Sequence, residues 1–382
     1  MLVFFKVLFW ISLAMIAYSY FCYPFFLAVL TRFFDRPVKS RDEYLPEVGV
    51  LVPAYNEEKV IRRKVENILS IDYPPEKISV WVGSDCSDDS TEEIVREIKD
   101  SRVHLWRAPS RGGKTGIVNR LAPQIQCDII LFTDANTMHQ KNCLRAMVRH
   151  FADPQVGGVA GHIEHITTEG DENAETMYRI FESKQKYLEG RLHSTISAFG
   201  GFYAVRKKLF QPIPENAYSN DDVLIPMNVI RQGYRIIYEM DAVSEEDVSN
   251  EVSSEFQRRV RIGAGNFQAF FWLVDFFNPF RGWPSFCYIS HKVTRWFSPF
   301  FIFTSFLSCS VLAFLGNMEV YRFLLVCSMI FTVSGLLHHH LPLRINRHVF
   351  YFFAMNFALL LGFFRFAGGI RSAVWKRTER SA

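Results

Sequence analysis

Asp134 and Asn136 sit one residue apart in the stretch Leu131-Phe132-Thr133-Asp134-Ala135-Asn136-Thr137. Two side-chain oxygen donors at that spacing can share one hard divalent cation, which usually keeps several waters and holds substrate phosphates. The same pair would also serve as a helix cap, a position that Asp and Asn favour. Three further clusters carry candidate chemistry: Pro53 to Glu57, the acidic loop around Asp85, and the basic glycine loop Ser110-Arg111-Gly112-Gly113-Lys114. The last has neither the P-loop spacing nor the G-x-G-x-x-G pattern, so on its own it also reads as a turn. Cys86 beside Asp85 reads as a small loop residue. The seven cysteines form no C-x-x-C pair, which excludes an obvious zinc site or disulfide framework.

The elements that must position these clusters alternate. Apolar runs begin at Val48, Ile78, Val103 and Ile129, and each is followed by a polar tip and a helical stretch. Strands alternating with helices predict a mostly parallel sheet covered on both faces. In such a sheet ligands bind at the carboxyl ends of the strands. All four clusters fall at strand ends or helix starts, where a base, a ribose and a diphosphate would meet hydrogen-bond acceptors, a cation and a metal. Farther on, the sequence predicts a strand from Gly157, a long helix from Glu172 to Leu192, a glycine-led strand from Phe199, a helix from Asn220 to Gly233, and another from Ser254 to Phe271.

The rest of the composition points to a membrane. Hydrophobic residues make up 49% of the 382, with 37 Phe, yet 21% are charged. That mixture suits a soluble domain joined to membrane segments. Val7 to Thr31 holds no charge over about 25 positions, against the roughly 20 needed to cross a bilayer. Basic residues from Arg32 to Arg41 place the following domain in the cytoplasm by the positive-inside bias. Asn266 to Phe286 is aromatic but interrupted and suits an interfacial helix. Phe297 to Met318 and Phe323 to Leu343 are each long enough to span. Val349 to Phe364 falls short of the usual length; the basic tail from Lys376 to Arg380 stays inside only if this run is re-entrant or interfacial, and the spanning and non-spanning readings both stand. Trp272, Trp283 and Trp296 read as interface anchors, and His338-His339-His340 as a membrane-edge cluster. A net charge of +4 gives no reason to expect nucleic acid.

From Val48 to Arg261 the motifs resemble those of family-2 glycosyltransferases, in particular membrane-embedded ones such as cellulose, hyaluronan and poly-N-acetylglucosamine synthases. Val52-Pro53-Ala54-Tyr55-Asn56-Glu57 resembles the opening motif and Gly83 to Thr91 the aspartate-rich loop. Gly112-Gly113-Lys114 with Asn119 is similar to the glycine-lysine element, and Thr133-Asp134-Ala135-Asn136 stands at the D-x-D metal motif. Asn in place of its second acid keeps an oxygen ligand and drops a charge. Asn220-Asp221-Asp222 resembles T-E-D, whose last acid is the general base. The Q-x-x-R-W motif fits poorly: Arg258 and Arg261 share one helix face and could grip a diphosphate, or the face could meet anionic lipid, while Ile262 replaces the Trp and puts processive synthesis in doubt.

The resemblance implies an α/β GT-A nucleotide-sugar-binding (Rossmann-like) domain with a mixed, mostly parallel sheet, plus transmembrane and interfacial helices. The expected division is 1–45 anchor and linker, 46–250 catalytic domain, 251–296 interfacial helices and 297–382 membrane region. It implies an inverting transferase that uses a nucleotide sugar, expected to be a UDP-sugar, with Mg2+ or Mn2+, and acts on a glycan or lipid-linked acceptor. Asp222 is the expected base. Pro53, Tyr55, Glu57, Asp85, Lys114, Asp134, Arg258 and Arg261 are the expected donor contacts, and Asp134 and Asn136 the metal ligands. The expected location is a bacterial inner (plasma) membrane, in contact with its lipid. Three membrane segments make a poor secretion channel, so a processive enzyme would need a homo-oligomer or an export partner. The competing reading is a catalytically silent membrane scaffold of the same fold.

Overall fold

A computed structural model describes residues 1–166, 174–247, 252–338, 340 and 343–370. Glu172, His339 and the basic tail at 376–380 lie outside them. The chain forms two compact units. One comprises the described residues of Thr31–Asp171, Ser183–Ser254 and Gly369–Ala382, the other those of Met1–Leu30, Glu172–Glu182 and Glu255–Gly368.

The first unit is built on one eight-stranded sheet. In chain order the strands are β1 (Val48–Ala54), β2 (Ile78–Ser84), β3 (Val103–Arg107), β4 (Ile129–Thr133), β5 (Thr137–His139), β6 (Val156–Ile166), β7 (Phe202–Arg206) and β8 (Arg235–Asp247). Their order across the sheet is β3-β2-β1-β4-β7-β6-β8-β5. β1 pairs in parallel with β2 and β4, β2 with β3, and β6 with β8. β7 runs antiparallel to both neighbours, and β5 is antiparallel to β8.

β1 and β4 are buried almost throughout, as continuous aliphatic runs in a sheet covered on both faces should be. The helix Ile61–Leu69 covers one face with Ile61, Val65 and Ile68. Each such side chain contributes about 1.5–3 kcal/mol on burial. The chain leaves β1 for β2 and β3 on one side and reaches β4 on the other. The crevice therefore opens where the strand order reverses, beyond the carboxyl ends of β1 and β4.

β5 and β8 do not follow from the hydrophobic pattern. β8 carries Arg235, Glu239, Glu245 and Glu246, which mask a strand. Arg235 and Glu239 are nevertheless buried. Arg235 donates to the carbonyls of His193, Arg36 and Gly190 at 2.7–2.9 Å, and Glu239 accepts from Arg149 and pairs with His150. Buried charge is tolerated when it is paired in this way.

The second unit is helical. Among the described residues three helices are long and apolar enough to cross a membrane: Leu2–Phe34, Glu319–Leu336 and Ile345–Ala367. At two places the helices differ from the uncharged runs of the sequence. Val349 to Phe364 is the middle of a 24-residue helix, Arg344–Ala367, because the helix runs on through Arg344 and Arg365, where counting uncharged positions stops. Phe297 to Met318 does not make one straight span. Its helix, Ser298–Phe314, reaches spanning length only together with Trp283–Trp296, across a 57° bend, and Asn317 at positive φ follows its end. Gly362 lets two helices approach closely: a Cβ there would lie 2.7 Å from the Gly263 carbonyl carbon, the close contact that small residues permit between apolar helices.

Candidate functional site

The glycine loop is the hub of the crevice. Asp85 follows β2, and its two carboxylate oxygens accept the backbone N–H groups of Gly112 (2.7 Å) and Gly113 (3.0 Å). Gly113 takes a φ of +67°, a conformation that favours glycine. The carboxylate has further lone pairs for a ligand hydroxyl. Beside it, the Arg111 guanidinium lies 3.5 Å from the centre of the Tyr55 ring, close enough for a cation–π contact. Pro53 pairs with Gly83 one residue before the end of β1, and the Glu57 amide donates to Thr91 Oγ1 at 2.7 Å.

Lys114, in the first turn of the helix Gly113–Leu121, reaches into the site. Its ammonium lies 2.9 Å from Asp134 Oδ1 and 3.2 Å from Asp221 Oδ2, and donates to the Gly200 carbonyl at 2.8 Å. Burial penalises this cation, but the Asp134 and Asp221 carboxylates outweigh the penalty and hold it above the ordinary lysine range. Asp221 is buried and also accepts from the Tyr203 hydroxyl at 2.9 Å. Burial keeps that phenol protonated, and Asp221 reinforces the effect.

Asp222 is only half-buried. Asn220 precedes the pair in the left-handed region, φ 73°, which Asn enters more readily than most residues. Pro226 lies four residues past Asp222 in the same helix and has no N–H to give to the Asp222 carbonyl. The Ala198 amide donates to that carbonyl instead, at 2.8 Å, which ties the helix start to the segment before Gly200. A Cβ on Gly200 would sit 3.6 Å from Asp222 Oδ2 and 3.8 Å from Lys114 Nζ. Asp85, Lys114, Asp134 and Asp222 are thus gathered about one crevice.

Asn136 donates its amide to Glu246 Oε1 at 3.1 Å. Asp134, Asn136 and Glu246 supply hard oxygen donors, a set that suits Mg2+ or Mn2+ better than a soft metal. Among the described residues no three His, Cys, Asp or Glu side chains form a cage. A hard cation can also be bound through one or two carboxylates plus substrate phosphate and water. Glu246 does not stand out in the sequence, since β8 itself does not; the acidic run Glu245-Glu246-Asp247 is its signal there. By sequence pattern Tyr203 falls in a strand and Asp221 at a helix start, and only their contact with each other and that of Asp221 with Lys114 places them here. Arg258 and Arg261 lie on the helix Val252–Trp272, both half-buried, in the unit that holds the apolar helices.

Two glycines give contrasting tests. A Cβ on Gly201 would lie 2.5 Å from the buried Thr137 Oγ1. Gly201→Ala is therefore expected to cost about 1–3 kcal/mol of stability, read as a shift in the denaturant midpoint. Gly200→Ala meets only ordinary contacts and should keep the wild-type midpoint.

Residues 49–213 match the family model described as Glycosyl transferase family 2. The beta-monoglucosyldiacylglycerol synthase of Synechocystis sp. is 32% identical over 155 residues, covering 38% of this chain and 32% of that protein. The probable glycosyltransferase YdaM of Bacillus subtilis is 24% identical over 235 residues, 58% of this chain and 56% of that protein. The chain spans about a third of the length of the first of these relatives. Among solved structures, the mannosyltransferase PcManGT from Pyrobaculum calidifontis, in complex with GDP-Man and Mn2+, matches with a TM-score of 0.73 at 22% identity. The match covers 94% of this chain and 99% of that one. This likeness shows the GT-A fold.

Proposed function

We propose that this chain, which carries a glycosyltransferase family 2 domain at residues 49–213, is an inverting membrane glycosyltransferase. It transfers a sugar from a nucleoside-diphosphate donor to a glycan or lipid-linked acceptor. The observation that carries the reading is the convergence of Asp85, Lys114, Asp134 and Asp222 on one crevice at the reversal of strand order.

Asp85 binds the nucleoside, with Tyr55 and Arg111 offering flat faces to the base. Asp134 and Asn136, with Glu246 beside them, hold a divalent cation. When bound, that cation offsets the charge that develops on the departing diphosphate. Asp222 accepts the proton of the acceptor hydroxyl as its oxygen attacks the anomeric carbon, and direct displacement inverts the configuration. Asp221 accepts from Tyr203 and pairs with Lys114, and Asp222, the less buried of the two carboxylates, is assigned the proton transfer. Arg258 and Arg261 enter as diphosphate contacts on their spacing alone, and residues 46–250 as the catalytic domain. Three apolar helices and a relative named for a glucolipid support an acceptor at a membrane surface.

A donor screen tests this. Purified protein in detergent is incubated with UDP- and GDP-sugars and Mg2+ or Mn2+, with and without membrane lipid extract, and nucleotide release is measured. GDP-mannose belongs in the screen because PcManGT was solved with it. Release from one donor, raised by lipid, is the expected result; no release from any donor would overturn the enzyme reading and favour a silent scaffold.

A further inference from the structure

Lys64 is fully buried beneath the loop that carries Asp134 and Asn136. It sits on the helix Ile61–Leu69, outside every motif discussed above. Its ammonium donates to Thr133 Oγ1 at 2.8 Å and to the Thr137 carbonyl, and lies 3.1 Å from His139 Nε2. Thr133 immediately precedes Asp134 and Thr137 immediately follows Asn136, so one side chain bridges both ends of the loop. One turn along the same helix, Asn67 grips the next residues: its amide donates to the His139 carbonyl at 2.9 Å, and its oxygen accepts the His139 N–H at 2.7 Å. His139 Nδ1 lies 2.6 Å from Ser244 Oγ on β8, two residues before Glu246.

Among the described residues no carboxylate lies within salt-bridge distance of Lys64, and a buried lysine in that position is costly to keep. Burial pulls its ammonium down to about 7, with Asp134 pulling it back up. Burial and the neighbouring Lys64 also hold His139 well below its ordinary range, so the ring stays neutral and its Nε2 is available as an acceptor. An apolar residue on that helix face would fill the space without such a cost. The lysine makes physical sense where its contacts do something that packing alone does not, namely hold two backbone segments at a set separation.

We propose that Lys64 and Asn67 are positioning residues that clamp the Thr133–Thr137 loop. The clamp sets the geometry in which Asp134 and Asn136 receive a divalent cation. Through His139 and Ser244 it also ties that loop to the strand carrying Glu246. The inference rests on the proposed cation site, and neither residue touches the cation.

The test is direct Mn2+ binding, by electron paramagnetic resonance, with UDP and with GDP, to the full chain in detergent. Thermal midpoints are measured in parallel. Lys64→Met is expected to bind Mn2+ at least tenfold more weakly than the unsubstituted chain. Should it fail to fold, Asn67→Ala, which is part-buried and removes only the two contacts to His139, is expected to weaken Mn2+ at least threefold with a midpoint close to wild type. Asp134→Ala calibrates complete loss. Unchanged Mn2+ affinity in folded Lys64→Met, or in Asn67→Ala where Lys64→Met does not fold, overturns the clamp while leaving the cation site standing. No nucleotide-dependent Mn2+ binding by the unsubstituted chain overturns the cation site and the clamp together.

Discussion

Asp222→Asn is expected to lower kcat about 10³-fold while donor KM stays within about twofold. A positioned general base contributes typically 10²–10⁴-fold, and a factor of 10³ corresponds to about 4 kcal/mol of barrier. Asn keeps the volume and one oxygen but cannot take the acceptor's proton. The Asp222 carbonyl still accepts from Ala198 and Pro226 still frees it, so the helix start should hold its place. Donor contacts from Asp85 and Lys114 are untouched, which is why KM should not move. Asp221→Asn is the control that separates the neighbours. It removes a charge from Lys114 and an acceptor from Tyr203, so it should cost stability. Turnover unchanged in Asp222→Asn would assign the base elsewhere.

Lys114→Met should be the most destabilising change in the crevice. It leaves the buried Asp221 with Tyr203 but without its cation, and it strips Asp134 of its ion pair. Breaking a buried pair from one side costs about 3–5 kcal/mol, so a loss near 3 kcal/mol is expected in a denaturant titration, with donor affinity falling at least tenfold. The pH dependence has a definite sign. A lysine whose folded pKa is raised contributes its stability fully below the unfolded value of 10.5 and loses it only as pH climbs through the folded value. The deficit between wild type and Lys114→Met should therefore be constant from about pH 6 to pH 9. A deficit that disappears within that range would mean Lys114 is not held charged by these carboxylates.

The part of the fold readable from residues alone is the part where pattern and burial agree. β1, β2, β3 and β4 are short apolar runs closed by polar tips, and each lies within a residue or two of where its pattern ends. The clusters at Asp85, Lys114, Asp134 and Asp222 are marked by residue type and spacing, because a loop that binds phosphate or metal needs those atoms close together along the chain. β8 shows the limit. Its buried Arg235 donates to the His193 carbonyl and its Glu239 pairs with Arg149 and His150, all carried on other elements, and no local window contains that compensation. The helix Arg344–Ala367 shows the same limit in the apolar unit, where backbone hydrogen bonding continues past the charges that end a hydropathy run.

By itself, then, the chain's order of residues determined the alternation of strands and helices, the four polar tips and the apolar segments, since each depends on near neighbours. Only the tertiary structure decided that Lys114 joins Asp134 to Asp221, that Glu246 stands beside Asn136, and that Lys64 braces the loop between them. These partners are separated by tens to more than a hundred positions in the chain. What brings them together is sheet order and helix packing, long-range properties that no local spacing encodes.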